Sequence, residues 1–251
     1  MSEQSLVWQQ IRRMLAIAVK DIRVYYSKGP VIIFGILFPV FLFLAFSVGR
    51  ELTLDFMMPG LIGMVLFFTA TSISPIVVPW EAQARTLERL MSSPLRLETI
   101  IAGDVFASFA FGTAISLVPV IAALALGVTI SSPVLFALAL LLAGLCFAAL
   151  GNIFSVPPSN VPATVNMIAA AVRFPVIFIS GIFIPLQQLP YWGQWIAYIS
   201  PLTYFTDIAR GCIQGQAHLP PAVDFALLTA FAALFLILAM RLHHSTMPRR
   251  L

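Results

Sequence analysis

Residues 81–99 read EAQARTLERLMSSPLRLET, and this stretch decides how the rest of the chain is interpreted. The chain has fourteen basic and ten acidic side chains, and six of these charged side chains lie in this stretch. Long uncharged runs lie on both sides of it. On a helical wheel an apolar ridge is formed by Leu87, Leu90 and Met91. The opposite side carries Arg85, Glu88, Arg89 and Ser92. The pattern predicts a short amphipathic helix over residues 81–94, ended by Ser92, Ser93 and Pro94.

An amphipathic helix that is tethered at both ends to membrane spans can play two roles. It can lie flat on the bilayer surface, or it can press its apolar ridge into a groove on a soluble partner. The helical wheel by itself leaves both roles open.

The segment ARTLERLMSSPLRLETIIAGD, residues 84–104, resembles the coupling-helix segment of the permease subunits of type-2 ATP-binding cassette exporters. The matching positions are Thr86, Leu87, Glu88, Leu90, Ser93, Pro94 and Leu95. Arg85 stands where that family usually has a glycine. The resemblance implies that the helix lies between the second and third spans and docks on a separate ATPase subunit. The docking surface it implies consists of Arg85, Leu87, Glu88, Arg89, Leu90 and Met91.

The composition is that of an integral membrane protein. Hydrophobic residues make up 60% of the 251 positions and charged residues 10%, against roughly 25% charged residues in soluble domains. Residues 29–49 and 56–80 are uncharged runs, each long enough to cross a hydrocarbon layer of about 30 Å. Residues 105–172 carry no charge either, and as a single helix they would be about 100 Å long.

The uncharged run 105–172 must therefore contain more than one crossing. The helix breakers Gly127, Ser131, Ser132 and Pro133 divide it into a third and a fourth span. A fifth span is predicted over residues 164–184 and a sixth over residues 223–240. The fold class is thus all-α, with an amphipathic interfacial helix over residues 1–28 and a six-span membrane domain over residues 29–251.

The basic residues predict the orientation in the membrane. With six crossings, both termini and the 81–94 helix share one side, and that side holds eleven of the fourteen Lys and Arg residues. The positive-inside rule places this side in the cytoplasm. The net charge of +4 is thereby explained by topology, and we expect no nucleic-acid partner.

Residues 185–222 are too apolar for an open loop and are interrupted by prolines, so we expect a pair of external re-entrant or interfacial helices. This stretch also resembles the carboxyl-terminal signature of the same exporter family. The matching positions are Pro185, Leu186, Leu189, Pro190, Trp192, Pro201, Leu202, Thr203, Tyr204, Asp207 and Arg210. Asp207 and Arg210 are three residues apart, and we expect them to form a structural pair on one helical face.

Arg173 is unusual because an arginine within a span is costly unless it faces water, a partner or the headgroups. Two interpretations remain open. Arg173 can reach the cytoplasmic headgroups in a structural role, or it can line a substrate path together with Asn166.

The sequence contains no chemistry of its own for hydrolysing ATP. It has no GxxxxGK[ST] phosphate loop, so ATP must be bound by another chain. The three histidines lack the spacing of a metal site, and no catalytic residues, metal or cofactor are expected. We expect a transport protein rather than an enzyme.

The resemblance to the exporter family implies a permease subunit in a prokaryotic inner (plasma) membrane, working with a cytoplasmic ATPase subunit and a second permease copy, identical or different. The expected substrate is a hydrophobic drug-like or lipid-like compound leaving the cytoplasm. Three alternatives stay open: an exporter of polysaccharide or another substrate class, an ATP-independent secondary transporter, and a membrane-anchored scaffold.

Overall fold

The computed structural model describes residues 3–26, 33–49, 53–92, 95–157 and 159–246. All regular secondary structure in these ranges is helical, as the sequence predicts. The α-helices are α1 Glu3–Asp21, α2 Phe38–Ser47, α3 Leu54–Ser72, α4 Ser74–Gln83, α5 Leu87–Met91, α6 Leu97–Ala125, α7 Pro133–Ile153, α8 Pro162–Ile179, α9 Tyr191–Ala197, α10 Pro201–Gln214 and α11 Pro221–Thr246. Short π-helical turns cover Ile22–Tyr26 and Ile33–Leu37, and a 3₁₀ turn covers Leu186–Gln188.

Five helical segments are long and apolar enough to cross a membrane: Leu54–Gln83, which joins α3 and α4, together with α6, α7, α8 and α11. The described part of the predicted first span is the turn Ile33–Leu37 followed by α2. The start of that span, at 29–32, lies outside the described residues. A multi-pass, all-helical membrane protein is confirmed, and the sixth crossing stays a prediction.

The predicted second span is not one continuous helix, because it breaks at Ile73 between α3 and α4. Pro75 lies in the first turn of α4. A proline has no backbone N–H, so Pro75 cannot donate a hydrogen bond to the carbonyl of Thr71, four residues earlier. The break therefore leaves the Thr71 carbonyl available to another donor.

The uncharged run 105–172 is divided where the sequence predicts. Helix α6 ends at Ala125 and α7 begins at Pro133, and Gly127 in the connection has a φ of 89°. That left-handed conformation is easily adopted by glycine.

Helix α3 forms the centre of the bundle and packs against α6, α7 and α10. Its approach to two of these helices depends on glycine. A Cβ atom added to Gly112 of α6 would lie 2.9 Å from the Cβ of Ala70, and one added to Gly151 of α7 would lie 2.9 Å from the Cα of Thr71. Small residues let membrane helices approach closely in this way.

Helix α1 lies along the first part of α6. A Cβ atom added to Gly103 would come within 2.7 Å of Ile17, so the two helices are in direct contact. The opposite side of α1 exposes the apolar residues Trp8, Ile11, Leu15 and Val19. An exposed apolar stripe next to charged residues fits the predicted interfacial position. Of the predicted range 1–28, residues 1–2 and 27–28 lie outside the described residues.

The two ends of the bundle carry different elements. One end holds α5, the start of α6 and the end of α11, where His244 contacts Glu98 at 2.8 Å. The other end holds α10, whose Gln214 donates a hydrogen bond to the Asp55 carbonyl at 2.9 Å. Thr99 of α6 donates a hydrogen bond to Oε1 of Gln10 at 2.7 Å, so α1 also lies at the α5 end. The side of the membrane on which this end lies stays a prediction.

Candidate functional site

The first candidate site is the α5 end of the bundle. The predicted helix over residues 81–94 is shorter than expected, since Glu81 belongs to α4 and α5 covers only Leu87–Met91. Ser93 and Pro94 lie outside the described residues. Arg85, Glu88 and Arg89 are exposed, and Leu90 is half-buried. The side chains of Leu87 and Met91 also lie outside what the structure describes, so the predicted ridge stays a prediction.

The turn between α4 and α5 has a strained backbone at the position where the sequence departs from the exporter pattern. Arg85 has a φ of 55° and is the only non-glycine residue of the described ranges with a positive φ. This left-handed region favours glycine. Thr86 then closes the turn by donating its backbone N–H to the Glu81 carbonyl at 2.9 Å. The chain therefore retains at Arg85 a turn that glycine would form without strain.

A buried charged cluster lies directly behind this turn. Lys20 of α1 donates a hydrogen bond to Glu81 of α4 and lies 3.0 Å from the carboxylate of Asp21. Glu81 and Asp21 are buried, and the buried Asp104 of α6 lies next to Asp21. The cluster therefore joins α1, α4 and α6 at the base of α5.

Lys20 keeps its charge in this cluster. Burial by itself lowers the pKa of Lys20, but the carboxylate of Asp21 and the hydrogen bond to Glu81 outweigh that effect and raise the pKa above its ordinary value. A charged Lys20 at this position partly compensates the acidic groups around it.

The second candidate site is a cavity of about 230 Å³ between the α2 region, the α3–α4 break and α8. Its walls are mainly apolar and aromatic, and they include Phe38, Phe68, Trp80, Phe174, Asn166 and Arg173. Phe38 packs edge-on against Phe68 and Phe174, with ring centroids 5.3 and 5.8 Å apart. A cavity with aromatic walls and a few polar groups is typical of a site for a small ligand.

Arg173 and Asn166, predicted together from the sequence, both line this cavity. Arg173 is buried, whereas Asn166 is exposed. The Nη2 atom of Arg173 donates a hydrogen bond to the Thr71 carbonyl, the acceptor that Pro75 leaves unused. The Nη1 atom lies 3.4 Å from Oδ1 of Asn166. Arg173 and Asn166 therefore line one cavity, while a contact of Arg173 with the headgroups and a substrate path along these residues both stay predictions.

Comparison with known proteins identifies the family. The sequence pattern of the ABC-2 type transporter family matches residues 4–213. The chain belongs to this family. It is therefore a permease subunit of an ABC transporter, and α5 is the helix that the family resemblance points to for contact with an ATPase.

Individual relatives agree with this assignment. The chain is 25% identical over 190 residues to the inner membrane transport permease YadH of Escherichia coli, covering 75% of this chain and 74% of YadH. It is 30% identical over 169 residues to nodulation protein J of Rhizobium leguminosarum bv. trifolii, covering 66% and 62%. It is 26% identical over 162 residues to the probable multidrug ABC transporter permease YbhR of Escherichia coli, covering 62% and 42%. The names and the apolar helices support a multi-pass inner membrane protein.

Asp207 and Arg210 were predicted to pair with each other, but in the structure each is hydrogen-bonded to backbone groups instead. Asp207 accepts hydrogen bonds from the backbone N–H groups of His218 and Leu219 at 2.8 Å. Arg210 donates to the Ile182 carbonyl at 3.1 Å. The two side chains thus lie on the same helix without a direct ion pair within the described ranges, because backbone groups of neighbouring segments are better placed. Helix α10 is buried along nearly its whole length, and its depth in the membrane stays a prediction.

Sequence reasoning missed Lys20, Asp21 and Asp104 as members of a site. Each lies beside an apolar run, where an ionisable residue signals a polar function or a polar partner. The pairing itself was not visible, since Lys20 and Glu81 are 61 positions apart.

Proposed function

We propose that this permease is the membrane-spanning subunit of an ATP-driven exporter that moves a hydrophobic drug-like or lipid-like compound out of the cytoplasm. A separate cytoplasmic ATPase subunit binds and hydrolyses ATP. Two permease copies pair in the membrane, and closure of the ATPases switches them between inward-facing and outward-facing states.

The observation that carries this proposal is the position of α5 relative to the cavity. Helix α5 presents exposed charges at one end of the bundle, and it follows α4 after a single turn. Ile73, Ile76 and Trp80, at the start of α4 and along it, line the cavity. A partner can bias the membrane domain only if its contacts differ between the two states. A force applied to α5 reaches the cavity through one short helix.

The buried cluster supports the same route of coupling. Because Lys20 contacts Glu81, the base of α5 is attached to α1 as well as to the spans. A pull on α5 therefore moves α4 and α1 together instead of bending a free loop. The positive-inside rule favours a cytoplasmic position for this end of the bundle.

The substrate class is supported by the cavity walls. The lining is mainly apolar and includes four aromatic side chains, as is usual in sites for hydrophobic ligands. The relative YbhR is named as a probable multidrug ABC transporter permease, and we transfer that class of substrate to this permease as part of the proposal.

The proposal is tested by purifying the tagged permease in mild detergent and identifying co-purifying ABC ATPase subunits by mass spectrometry. Reversing an exposed charge on α5, with Glu88→Lys or Arg89→Glu, should uncouple ATP hydrolysis from export while leaving the permease folded. Arg241→Glu is the matched control, because Arg241 is also exposed but lies at the end of α11.

Two results would contradict the proposal. A folded permease that brings no ATPase subunit with it would favour an ATP-independent secondary transporter. Normal coupling in both reversed variants would show that α5 is not the surface that the ATPase grips.

A further inference from the structure

The cavity between α4 and α8 combines aromatic walls with one buried cation. We propose that it binds an organic anion with a flat apolar body, and that Arg173 recognises the negative charge. The inference rests on the proposed function, because it names the substrate class of the same permease. It replaces a general hydrophobic substrate with an amphiphilic anion.

The first argument is the lack of an acidic partner for Arg173. Arg173 is 4% exposed, and none of the ion pairs found within the described ranges includes it. It donates hydrogen bonds to the Thr71 carbonyl and, at 3.4 Å, to Oδ1 of Asn166, and both of these acceptors are uncharged. A buried charge without a counterion is unfavourable, and a guanidinium group with free donors binds carboxylate or phosphate strongly.

Arg210 provides a comparison within the same molecule. It is buried to a similar degree, but the carboxylate of Asp207 lies within electrostatic range of it. Both arginines also contact an aromatic ring, since the Phe56 ring lies 5.5 Å from the guanidinium carbon of Arg210 and the Phe154 ring lies 5.9 Å from that of Arg173. The difference between the two arginines is therefore the carboxylate near Arg210, and no acidic side chain within the described ranges takes that place beside Arg173.

The Thr71 carbonyl explains how Arg173 is held in place while the cavity is empty. Pro75 leaves that carbonyl without its helical donor, and Nη2 of Arg173 takes the vacant position. Nη2 is thus fixed to α3 and Nη1 contacts Asn166, and because each Nη atom carries two N–H groups, a second N–H on each remains for a ligand. A preorganised charge of this kind lowers the cost of binding.

The walls of the cavity define the apolar part of the ligand. The rings of Phe38, Phe68 and Phe174 lie within 5.3–6.3 Å of one another. The volume of about 230 Å³ exceeds that of a cavity of about 150 Å³ known to hold benzene in another protein. Phe174 and Asn166 are exposed, so the cavity opens on the outer face of α8.

The experiment compares two probes that share an aromatic body and differ in charge, 1-naphthaleneacetate and 1-naphthaleneacetamide. The whole permease is reconstituted in phosphatidylcholine nanodiscs, and binding is measured by equilibrium dialysis against empty discs. We expect the anion to bind the wild type at least about tenfold more tightly than the amide, as a hydrogen bond to a charged group implies.

Variants assign this preference to Arg173. Arg173→Gln should reduce binding of the anion to the level of the amide, and Arg173→Lys should keep part of the preference. Arg241→Gln removes the same charge at an exposed position and should leave binding unchanged. Because Arg173→Gln also removes the donor to Thr71, a second variant fills the cavity instead: Ala170→Phe keeps Arg173 and should abolish binding of the anion.

The proposal is overturned if naphthaleneacetate does not bind the wild type saturably, if both probes bind equally, or if Arg173→Gln keeps the preference. If Arg173→Gln fails to fold, the Ala170→Phe variant decides: the proposal is overturned if this variant binds naphthaleneacetate as tightly as the wild type does. Loss of naphthaleneacetate binding in discs containing phosphatidylglycerol would support a lipid as the natural anion, and unchanged binding would support a soluble one. No ATPase is present in this assay, so its failure leaves the co-purification test of the proposed function intact.

Discussion

Replacing Lys20 by methionine tests the cluster that joins α1 to the base of α5. The methionine retains most of the apolar stem and removes the ammonium group that contacts Glu81 and Asp21. These two carboxylates then lose their cation, with Asp104 buried beside them. We expect both lower stability and weaker coupling between ATP hydrolysis and export.

The magnitude follows from the burial of the partners. The side chain of Lys20 is 36% exposed, whereas those of Glu81 and Asp21 are 5% and 0% exposed. Exposed ion pairs contribute about 0.2–1 kcal/mol, and removing one partner of a fully buried pair costs about 3–5 kcal/mol. The half-buried Lys20 lies between these limits, at about 2 kcal/mol. For a chain of this length that corresponds to a Tm lower by about 4–8 °C.

The assay is thermal unfolding of the purified permease in detergent, with Arg12→Met as the control. Arg12 is an exposed cation on the same helix, and its loss should change Tm little. The double variant Lys20→Met/Glu81→Gln removes the charges of Lys20 and Glu81 and leaves that of Asp21, so it should recover part of the lost stability. Equal Tm values for Lys20→Met and Arg12→Met, or no recovery in the double variant, would refute the assignment of this cluster.

Two further predictions concern the backbone. Arg85 has a left-handed φ of 55°, so Arg85→Gly should keep or raise Tm, whereas Arg85→Val should lower it because β-branched residues fit this region poorly. Gly112→Ala places a Cβ 2.9–3.0 Å from atoms of Ala70 and should destabilise the permease by about 1–3 kcal/mol through overpacking of α3 against α6. Both effects are measured by the same unfolding assay.

The controls for these substitutions come from the chain itself. The control for Arg85→Val is Ala84→Val, which introduces the same side chain at a neighbouring exposed residue in the αR conformation. Thr86→Val cannot serve as this control, because it would also remove the side-chain hydrogen bond from Thr86 to the Glu81 carbonyl. Gly193→Ala adds a Cβ that meets only ordinary contacts of 3.5 Å or more, so its Tm should not fall. A loss in Gly193→Ala equal to that in Gly112→Ala would argue against close α3–α6 packing.

The sequence predicted the helical class, most of the spans and their breaks. These features depend on local chemistry: an uncharged run partitions into lipid as a helix, Gly127 readily adopts the left-handed conformation after α6, and Pro133 suits the first turn of α7. The short charged helix between two spans was also predicted, because its residues are unlike their surroundings. Its length was overestimated, because the left-handed turn at Arg85 separates α5 from Glu81, which belongs to α4.

The tertiary structure decided which charges meet. Asp207 and Arg210 have the spacing of a helical pair, yet each finds a backbone partner on another segment. Arg173 stood out in the sequence because a charge within a span is costly, but its acceptor, the Thr71 carbonyl, lies 102 positions away. Spacing along one helix shows which side chains of that helix can reach one another. The observed partners lie on other segments, so they depend on which helices pack together. The sequence by itself therefore determined where helices form and which residues needed a partner, and only the fold determined the partners, because hydrogen bonds and ion pairs form between neighbours in space.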